Sequence, residues 1–427
     1  MGRPAQTQPS DMSIWARQSL GWLVPGDNFL VTSADRLSTT PAAVRLEQSE
    51  RWGGAGTLNA VRINLPPKQV VVNVPHSGVT EWFGGKADLL DSTLTRTVDL
   101  RGKAAAALSF WTWYDLEPGW DFAFVQVSAD GGATWTSLPI AGTTSELDPA
   151  GLPAIRDNLP GFTGRSGGWV QKAADLSAWA GQTVQLRFRY MTDWATTMAG
   201  FYVDDVRVTA DGATVFLDDV ETLDPAWTAV TFRRDPGYAF YAHYYLAEWR
   251  NTAPLETPWG GASIVNFDAG LRQAYQFDPY GSTGNVDEPW YYPYDPGLVL
   301  WYRDTSYVDN WTGVHPGHGF LLVVDAHDQA WGRPPLPKSG SLPWNSTVQS
   351  SDAAFGLAST PDVTLGYWGT ARRYAGLNAV PIFDDGHGYW SNVAPAASTM
   401  TPTYGLLLRV LGAATDGSAA LVGLGTK

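Results

Sequence analysis

The sequence predicts an all-β protein, and three observations lead to that prediction. Glycine and proline, which favour the turns between short strands, occupy 45 and 29 of the 427 positions. Aromatic residues make up 13% of the chain and charged residues only 16%, a composition that favours strands over helices. Several segments alternate apolar and polar side chains with a period of two residues. We therefore expect a β-sandwich followed by a second β-rich domain.

The composition also excludes several classes of protein. The chain has no cysteine, which excludes a disulfide framework and thiolate metal sites. Acidic residues outnumber basic residues by 42 to 28 and the formal net charge is −14, so we expect no nucleic-acid binding. A hydrophobic content of 44% can fill a large core and argues against disorder. No apolar stretch approaches the length of a membrane-spanning helix, so we expect no transmembrane segment.

The best helical candidate is Ser10–Leu23, at the start of the chain. Ser10 or Asp11 is suited to cap this helix, and Gly21 is suited to end it. One short helix beside a β-rich chain indicates the end of a neighbouring domain. We therefore assign residues 1–24 to the tail of a truncated domain.

Period-two patterns predict strands throughout the rest of the chain. Leu94–Leu100 alternates apolar and polar residues, and Leu108–Tyr114 places apolar residues and Thr on one face and tryptophans on the other. Val184–Tyr190 is the clearest half-buried strand, because every second residue is apolar and the residues between are polar or charged. We expect the sandwich, with its leading strands, over residues 25–210 and the second β-rich domain over residues 211–427.

The six histidines contain no recognisable zinc motif, because none lies in an HExxH helix. His315 and His318 are three positions apart, and together with Asp325 and His327 they could approach one metal ion. The Pro-Gly pair between the first two histidines makes a turn and not a helix. We favour the interpretation that these residues line a loop and the end of a strand.

Acidic residues occur in clusters near predicted turns and strand ends. Calcium takes roughly six to eight oxygen ligands from carboxylates, carbonyls and water, usually gathered from such places. Adjacent aspartates in a strand point to opposite faces, so at most one of each pair can contribute directly to a given site. We predict at least one structural calcium site, with the candidate ligands Asp88, Glu117, Asp121, Asp204, Asp205, Asp218, Asp219 and Glu221. Two alternatives stay open: a solvated acidic rim and a carboxylate pair for glycoside hydrolysis.

The tryptophans divide into two groups. Those in or beside predicted strands are expected in the core: Trp111, Trp113, Trp135 and Trp169. A second group lies in loops rich in Gly, Pro and Tyr: Trp259, Trp290, Trp311, Trp331, Trp344, Trp368 and Trp390. Exposed rings in such loops can stack on sugars or peptides, and large rings also fill gaps under long loops. Both interpretations of the loop tryptophans remain open.

Two short motifs have structural explanations. Gly164–Gly168 matches the GxSxG pattern, but no strand-to-helix turn surrounds it, so we interpret it as a loop. Ser128–Trp135 fits the S-x-D-x-G-x-T-W pattern of an Asp-box hairpin, in which the Asp and glycines make the turn and the Trp packs across it. It occurs once and marks a hairpin.

A resemblance to a known family rests on a series of blocks in constant order. These blocks are Phe110–Leu138, Gly164–Trp169, Asp175–Gly181, Val184–Asp193, Gly200–Val206, Asp218–Glu221, Leu298–Asp309 and His315–His327. Together they resemble immune inhibitor A, a family of secreted bacterial zinc metallopeptidases. The segment Trp15–Leu23 is similar to the one that closes the peptidase domain in that family. The resemblance covers most of the chain and depends on no single motif.

The resemblance implies an accessory region downstream of a catalytic domain. It implies a jelly-roll or MAM-like sandwich with structural calcium, then a second β-rich domain, with residues 1–24 left from the peptidase. The family's HExxH has no counterpart here, so no catalytic residue or zinc ligand can be assigned, and we expect no cleavage by this chain alone. Zinc belongs to the family's catalytic domain.

The resemblance also implies a location and partners. It implies secretion, although the first residues show no signal peptide, so we interpret Met1 as internal to a longer reading frame. The expected partners are a protein or peptide substrate, through the peptidase domain, and a surface glycan. The alternative is a stand-alone carbohydrate-binding or adhesion module that uses loop tryptophans.

Overall fold

The computed structural model describes residues 12–49, 56–251, 274–275, 289–290, 295–328, 350–367, 370–392, 395 and 398–427. This part of the chain is almost entirely β, which confirms the predicted fold class. It divides into two compact units, one formed by residues 1–68 with 240–427 and the other by residues 69–239. The predicted domain boundaries after residues 24 and 210 stay predictions.

The helices are α1 (Ile14–Ser19) and α2 (Pro153–Arg156). The strands up to the end of the unit of residues 69–239 are β1 (Phe29–Ser33), β2 (Ala42–Glu47), β3 (Ala60–Asn64), β4 (Lys68–Val71), β5 (Glu81–Phe83), β6 (Asp91–Asp99), β7 (Ala106–Asp115), β8 (Phe122–Ser128), β9 (Thr136–Ser137), β10 (Val170–Asp175), β11 (Thr183–Met191), β12 (Gly200–Ala210), β13 (Ala213–Asp218), β14 (Trp227–Val230), β15 (Arg233–Asp235) and β16 (Tyr238–Tyr241). The later strands are β17 (His243–Arg250), β18 (Ala274–Tyr275), β19 (Pro289–Trp290), β20 (Gly297–Asp304), β21 (Leu321–Val324), β22 (Val363–Tyr367), β23 (Thr370–Tyr374), β24 (Ile382–Asp384), β25 (Leu406–Ala413) and β26 (Ala419–Thr426).

Helix α1 is shorter than the predicted helix. Its N-cap is Ser13, whose hydroxyl accepts a hydrogen bond from the backbone N–H of Ala16, so the predicted capping by Ser10 or Asp11 is wrong for the described helix. Those two residues lie outside the described part of the chain. Gly21 follows the helix with a φ of 75°, a conformation that glycine adopts without strain, as the prediction of a glycine stop requires. Only Ile14 of the helix is buried, so one short turn is enough to cover the core below it.

The unit of residues 69–239 is a two-sheet sandwich. One sheet has the strand order β10-β7-β12-β5-β15 with β13 beside β12, and the other has the order β14-β6-β11-β8-β9. Apolar side chains from both sheets form one core, in which the rings of Phe110 and Phe188 meet edge to face at 5.0 Å. The predicted alternation holds in β7 and β11, where every second side chain is buried.

The prediction that four strand-associated tryptophans lie in the core is wrong. Trp111, Trp113, Trp135 and Trp169 are all half-buried. In β7 the core positions are occupied by the alternate residues, so the two indoles of this strand lie on its outer face. They contact polar or aromatic neighbours there; Trp111, for example, stacks on His76 at 3.8 Å. The buried indoles are Trp82, Trp227 and Trp249.

The two Asp-Asp segments that resemble each other, residues 202–206 and 216–220, lie side by side. Strands β12 and β13 pair antiparallel, with Val206 opposite Asp218. The short strand β5 extends the same sheet, because it pairs with β12 on one side and with β15 on the other. This arrangement brings acidic residues from three separate strands into one sheet.

The unit of residues 1–68 and 240–427 has two larger sheets. Their strand orders are β1-β3-β17-β20-β21 and β2-β26-β25-β24, and β1 pairs with β3 in parallel. A core of aliphatic and aromatic residues includes Tyr245 and Phe383, whose rings are 5.1 Å apart. Strands from the two ends of the chain pair directly, since Ala42 lies opposite Leu424.

Candidate metal centre

Three acidic residues meet at one end of the sandwich, where strands give way to loops. Glu117 follows β7, Asp121 immediately precedes β8, and Asp193 lies two residues after β11. Because β8 and β11 are antiparallel neighbours with Phe122 opposite Met191, the start of one strand lies beside the end of the other. One carboxylate oxygen from each acidic residue lies within 4.8 Å of the others. We call these three residues the loop centre.

The loop centre is largely shielded from water. Asp121 is 0% exposed and Asp193 is buried, while Glu117 is half-buried. The Oδ1 atom of Asp121 accepts a hydrogen bond from the backbone N–H of Asp193 at 3.0 Å. The Oδ2 atom of Asp121 is buried and has no hydrogen-bond partner among the described residues. A buried carboxylate oxygen without a partner is costly, so this atom fits a position next to a bound cation.

The electrostatics of the loop centre agree with its geometry. Burial raises the pKa of Asp121 to about 7, the hydrogen bond from Asp193 opposes this, and the charges of Asp193 and Glu117 raise the pKa further. Burial and the charge of Asp193 also raise the pKa of Glu117. A cation would relieve both effects, because it offsets the lost hydration and the mutual repulsion of the carboxylates. Three hard carboxylate oxygens, with backbone carbonyls and water, form a donor set that suits calcium.

A second group of acidic residues lies within the strands, and we call it the strand centre. Glu81 in β5, Asp204 in β12 and Asp235 in β15 are all buried, and Glu81 lies opposite Asp235 in the pairing of β5 with β15. The side-chain amide of Asn73 donates to Oε2 of Glu81 at 3.1 Å. Oε1 of Glu81 and Oδ1 of Asn73 are buried without a partner in the part of the chain that the structure describes.

Charge repulsion is strong in the strand centre. Burial, followed by the charges of Asp204 and Asp235, raises the pKa of Glu81 to about 8. Burial raises the pKa of Asp204 to about 6, although the backbone N–H groups of Ser77 and Asp205 both donate to this carboxylate. The two oxygens of Asp204 are therefore already engaged with the backbone, unlike the free oxygen of Asp121.

The predicted pair Asp204 and Asp205 divides between two faces, as the strand argument requires. Asp204 is buried, whereas Asp205 has a φ of 47° and lies at an irregularity in the pairing of β12 with β7. Oδ2 of Asp205 lies 2.6 Å from Nδ1 of His76, and its Oδ1 accepts from the hydroxyl of Ser77. Asp205 thus holds the segment around His76 and contributes to neither centre.

The remaining predicted ligands have local structural roles. Asp218 accepts a hydrogen bond from the indole Nε1 of Trp82 at 2.9 Å. One oxygen of Glu221 accepts from the backbone N–H groups of residues 79 and 80. Asp219 and Asp88 are exposed. The structure therefore brings Glu117 and Asp121 together and places the other six predicted residues elsewhere.

The predicted set omits four residues that the structure places in the two centres. Asp193 completes the loop centre, and Glu81, Asp235 and Asn73 belong to the strand centre. A sequence signal existed for Asp193, because it follows the clearest predicted strand at a strand end. No comparable signal existed for Glu81, because β5 has only three residues.

The histidine group does not form a metal centre among the described residues. Nε2 of His315 lies 2.8 Å from Oδ1 of Asp309, and its Nδ1 lies 2.6 Å from the backbone carbonyl of His318. The two ring nitrogens of His327 lie within hydrogen-bond distance of backbone carbonyls of Asp352 and Asn378. The preferred interpretation of these histidines as loop and strand-end residues agrees with these contacts.

The two short motifs are structural, as predicted. In the GxSxG segment, the hydroxyl of Ser166 is bonded to the backbone of Tyr114. In the Asp-box segment, Asp130 accepts from the backbone and hydroxyl of Thr134, and Nε1 of Trp135 donates to the carbonyl of Gly132. These bonds close the hairpin between β8 and β9.

Two tryptophans border the loop centre. Trp120 precedes Asp121 and Trp194 follows Asp193, and their rings meet edge to face with centroids 5.7 Å apart. Trp194 is 50% exposed, and Trp120 is half-buried. Of the predicted loop tryptophans, Trp311 is exposed and Nε1 of Trp390 donates to the carbonyl of Pro395.

The rest of that group falls outside what can be described. Trp259, Trp331, Trp344 and Trp368 lie outside the described residues, as does the side chain of Trp290. For the described helices, none is both long enough and apolar enough to cross a membrane.

The fold and the two centres define an all-β, two-unit chain whose sandwich carries buried carboxylates. Comparison with known proteins adds the family. The MAM domain of immune inhibitor A-like proteins matches residues 45–237, and the VEG domain of immune inhibitor A-like metallopeptidases matches residues 239–422. The chain belongs to the immune inhibitor A family and corresponds to its accessory region.

Curated relatives agree with this assignment. The pre-pro-metalloprotease PrtV of Vibrio cholerae is 31% identical over 428 residues, which cover 99% of this chain and 42% of the relative. Immune inhibitor A of Bacillus thuringiensis subsp. alesti is 33% identical over 373 residues, which cover 85% of this chain and 47% of the relative. Bacillopeptidase F of Bacillus subtilis is 28% identical over 99 residues, 23% of this chain and 5% of the relative. The chain therefore spans less than half the length of the relatives that it matches.

Proposed function

We propose that this chain is a calcium-binding accessory region of a secreted zinc metallopeptidase of the immune inhibitor A type. The family assignment and the metalloprotease relatives support the peptidase context. The sequence contains no HExxH motif, so proteolysis is assigned to a catalytic domain with its own zinc, and this chain alone does not cleave. Its role is to support that domain and to engage the protein or peptide substrate.

Calcium is assigned to the loop centre. The observation that carries this assignment is the free Oδ2 of Asp121, which is buried beside two further carboxylates within 4.8 Å. A calcium ion there would accept Glu117, Asp121 and Asp193 as ligands, and nearby carbonyls and water would complete its shell. The ion would supply the positive charge that three neighbouring carboxylates lack.

The expected effect of calcium is to stabilise the sandwich. The ion would join three loops, and a ligand that binds only the folded state raises stability by mass action. The chain has no cysteine, so no disulfide can fasten these loops. Calcium at extracellular concentrations suits a site of this kind and the proposed secretion.

The test is a calcium titration of the purified chain by calorimetry, together with melting curves in chelator and in millimolar calcium. We expect binding and a higher melting temperature for the wild type. Asp121→Asn should weaken calcium binding roughly tenfold or more, because ligand charge sets affinity in such sites. Asp219→Asn is the matched control, since Asp219 is an exposed aspartate outside the loop centre, and it should behave as wild type.

Two results would count against the loop centre. Absence of both binding and a melting shift at millimolar calcium would remove the site. Unchanged calcium affinity in Asp121→Asn would mean that the ion binds elsewhere, and Glu81→Gln would then test the strand centre as the second location. For the accessory role, the purified chain should leave casein intact with or without zinc, and chelator-sensitive hydrolysis of casein would contradict it.

A further inference from the structure

The loop centre has an aromatic border that the calcium assignment does not use. The indoles of Trp120 and Trp194 adjoin Asp121 and Asp193 in sequence and contact each other edge to face at 5.7 Å. Trp194 leaves half of its surface in water, although burying a large ring is favourable. An exposed indole next to buried carboxylates is a combination that the stability of the sandwich does not require.

The chemistry of the two parts is complementary. Calcium takes roughly six to eight oxygen ligands, and three carboxylates occupy only part of that shell. Neutral hydroxyl groups can occupy the remaining positions. A flat indole provides an apolar face with a partially negative π-surface, on which the C–H groups of a sugar ring can pack.

We propose that the loop centre is a calcium-dependent binding site for a neutral carbohydrate, with sugar hydroxyls on the ion and the sugar face against Trp194. This inference rests on the calcium assignment made above and names the ligand class of that same centre. It gives the accessory region a way to hold a glycan or glycoprotein surface near the peptidase. The exposed indole and the incomplete ligand shell carry the argument together.

Charge distinguishes a sugar from an acidic peptide at this centre. The charge of three carboxylates exceeds the charge of one calcium ion, so the occupied centre stays negative when all three are ionised. The chain itself carries a net charge of −14. An incoming carboxylate would meet repulsion from both, whereas neutral hydroxyl groups would not. The geometry therefore favours a neutral sugar over an acidic peptide.

The experiment measures binding of the whole chain to an array of immobilised neutral glycans, in millimolar calcium and in chelator. We expect wild type to bind at least one neutral glycan only when calcium is present. Trp194→Ala should weaken this binding roughly tenfold, the size of an aromatic contact. Trp194→Phe keeps a flat ring and should retain most of the binding.

The matched control is Trp311→Ala, which removes an indole that is 71% exposed and lies in the other unit. It should bind glycans as wild type does. Calcium calorimetry and melting curves on every variant show whether folding and ion binding are intact. A polyglutamate peptide serves as the acidic probe, and it should not bind.

The outcomes separate this inference from the calcium assignment. If the chain binds calcium but no neutral glycan, or if Trp194→Ala binds glycans as wild type does, the carbohydrate site is overturned and the calcium centre stands. Glycan binding that persists in chelator, or capture of polyglutamate in place of glycans, also overturns it. If no calcium binds, the calcium assignment fails and the inference fails with it.

Discussion

The loop centre and the strand centre place buried carboxylates in the same sandwich but in different surroundings. In the loop centre, the carboxylates come from segments at strand ends, and Trp194 beside them is partly exposed. In the strand centre, Glu81 and Asp204 lie inside a sheet, and Asn73 and two backbone N–H groups already bond to them. The loop centre is accessible to an ion through its loops, whereas the strand centre is enclosed by its own sheet.

The difference teaches that burial of acidic groups has two solutions. In the loop centre, Oδ2 of Asp121 lacks a partner and a cation can supply it. In the strand centre, repulsion between Glu81 and its neighbours can be relieved by a proton, because the pKa of Glu81 is raised to about 8. We therefore expect calcium to act mainly on the loop centre and pH mainly on the strand centre.

The largest expected effect is the pH dependence of stability without calcium. A carboxyl group with a raised pKa holds its proton more tightly in the folded than in the unfolded chain, so its contribution is greatest at low pH and falls as pH rises to the folded pKa. Asp204, Asp121 and Glu81, with pKa values of about 6, 7 and 8, all act in this direction. In chelator, the free energy of unfolding should fall between about pH 4 and about pH 8, by about 1.4 kcal/mol for each unit of pKa shift at most.

Melting curves across this pH range, with and without calcium, check the comparison. Calcium should reduce the loss of stability above about pH 7, where it replaces the proton on Asp121. A metal-free chain whose stability rises over the same range would contradict the raised pKa values of both centres.

The next effect concerns Glu81 alone. Glu81→Gln removes the charge that the strand centre disfavours and keeps the size of the side chain. We expect the metal-free chain to gain about 1–3 kcal/mol of stability near pH 8, where the wild type must retain a proton or bury a charge. Calcium affinity should stay within about twofold of wild type, since Glu81 is outside the loop centre. Urea unfolding and calcium calorimetry measure the two quantities, and a large fall in calcium affinity would reverse the roles of the centres.

The smallest effect concerns Asp218, which lies near neither free oxygen. Asp218→Ala removes the acceptor of the indole N–H of Trp82, a residue that is itself buried next to Glu81 in β5. We expect a loss of about 1–2 kcal/mol, the usual result of leaving a buried donor unpaired. The urea midpoint should fall with calcium affinity unchanged; equal stability would show that water satisfies the indole.

The fold was more predictable from the sequence than the centres were. The alternation in β7 and β11 identifies the strands and their inner faces, because side chains alternate along any strand. The faces of the tryptophans were predicted wrongly at Trp111 and Trp113, because ring size suggested burial and the strand pattern decided otherwise. Aromatic content alone does not say which face of a strand is covered.

The centres depend on pairings between strands that are distant in the sequence. Asp193 reaches Asp121 because β8 and β11 pair in one register, and Glu81 reaches Asp235 because β5 and β15 pair. A single sequence shows acidic residues and turns but not these registers. The adjacent-aspartate rule needed only local geometry, and it separated Asp204 from Asp205 correctly.

The pairing of Ala42 with Leu424 has a consequence for how the chain acquires its structure. Strands β1 to β3 emerge first during synthesis, yet β17 and β26, with which β3 and β2 pair, come from beyond residue 240. The sandwich of residues 69–239 can close before those partners exist, while the early strands still present unpaired edges and apolar side chains. Contacts of such long sequence separation also fold slowly. The earliest part of the chain is thus among the last to be completed, and it depends on protection from aggregation until the final strand arrives.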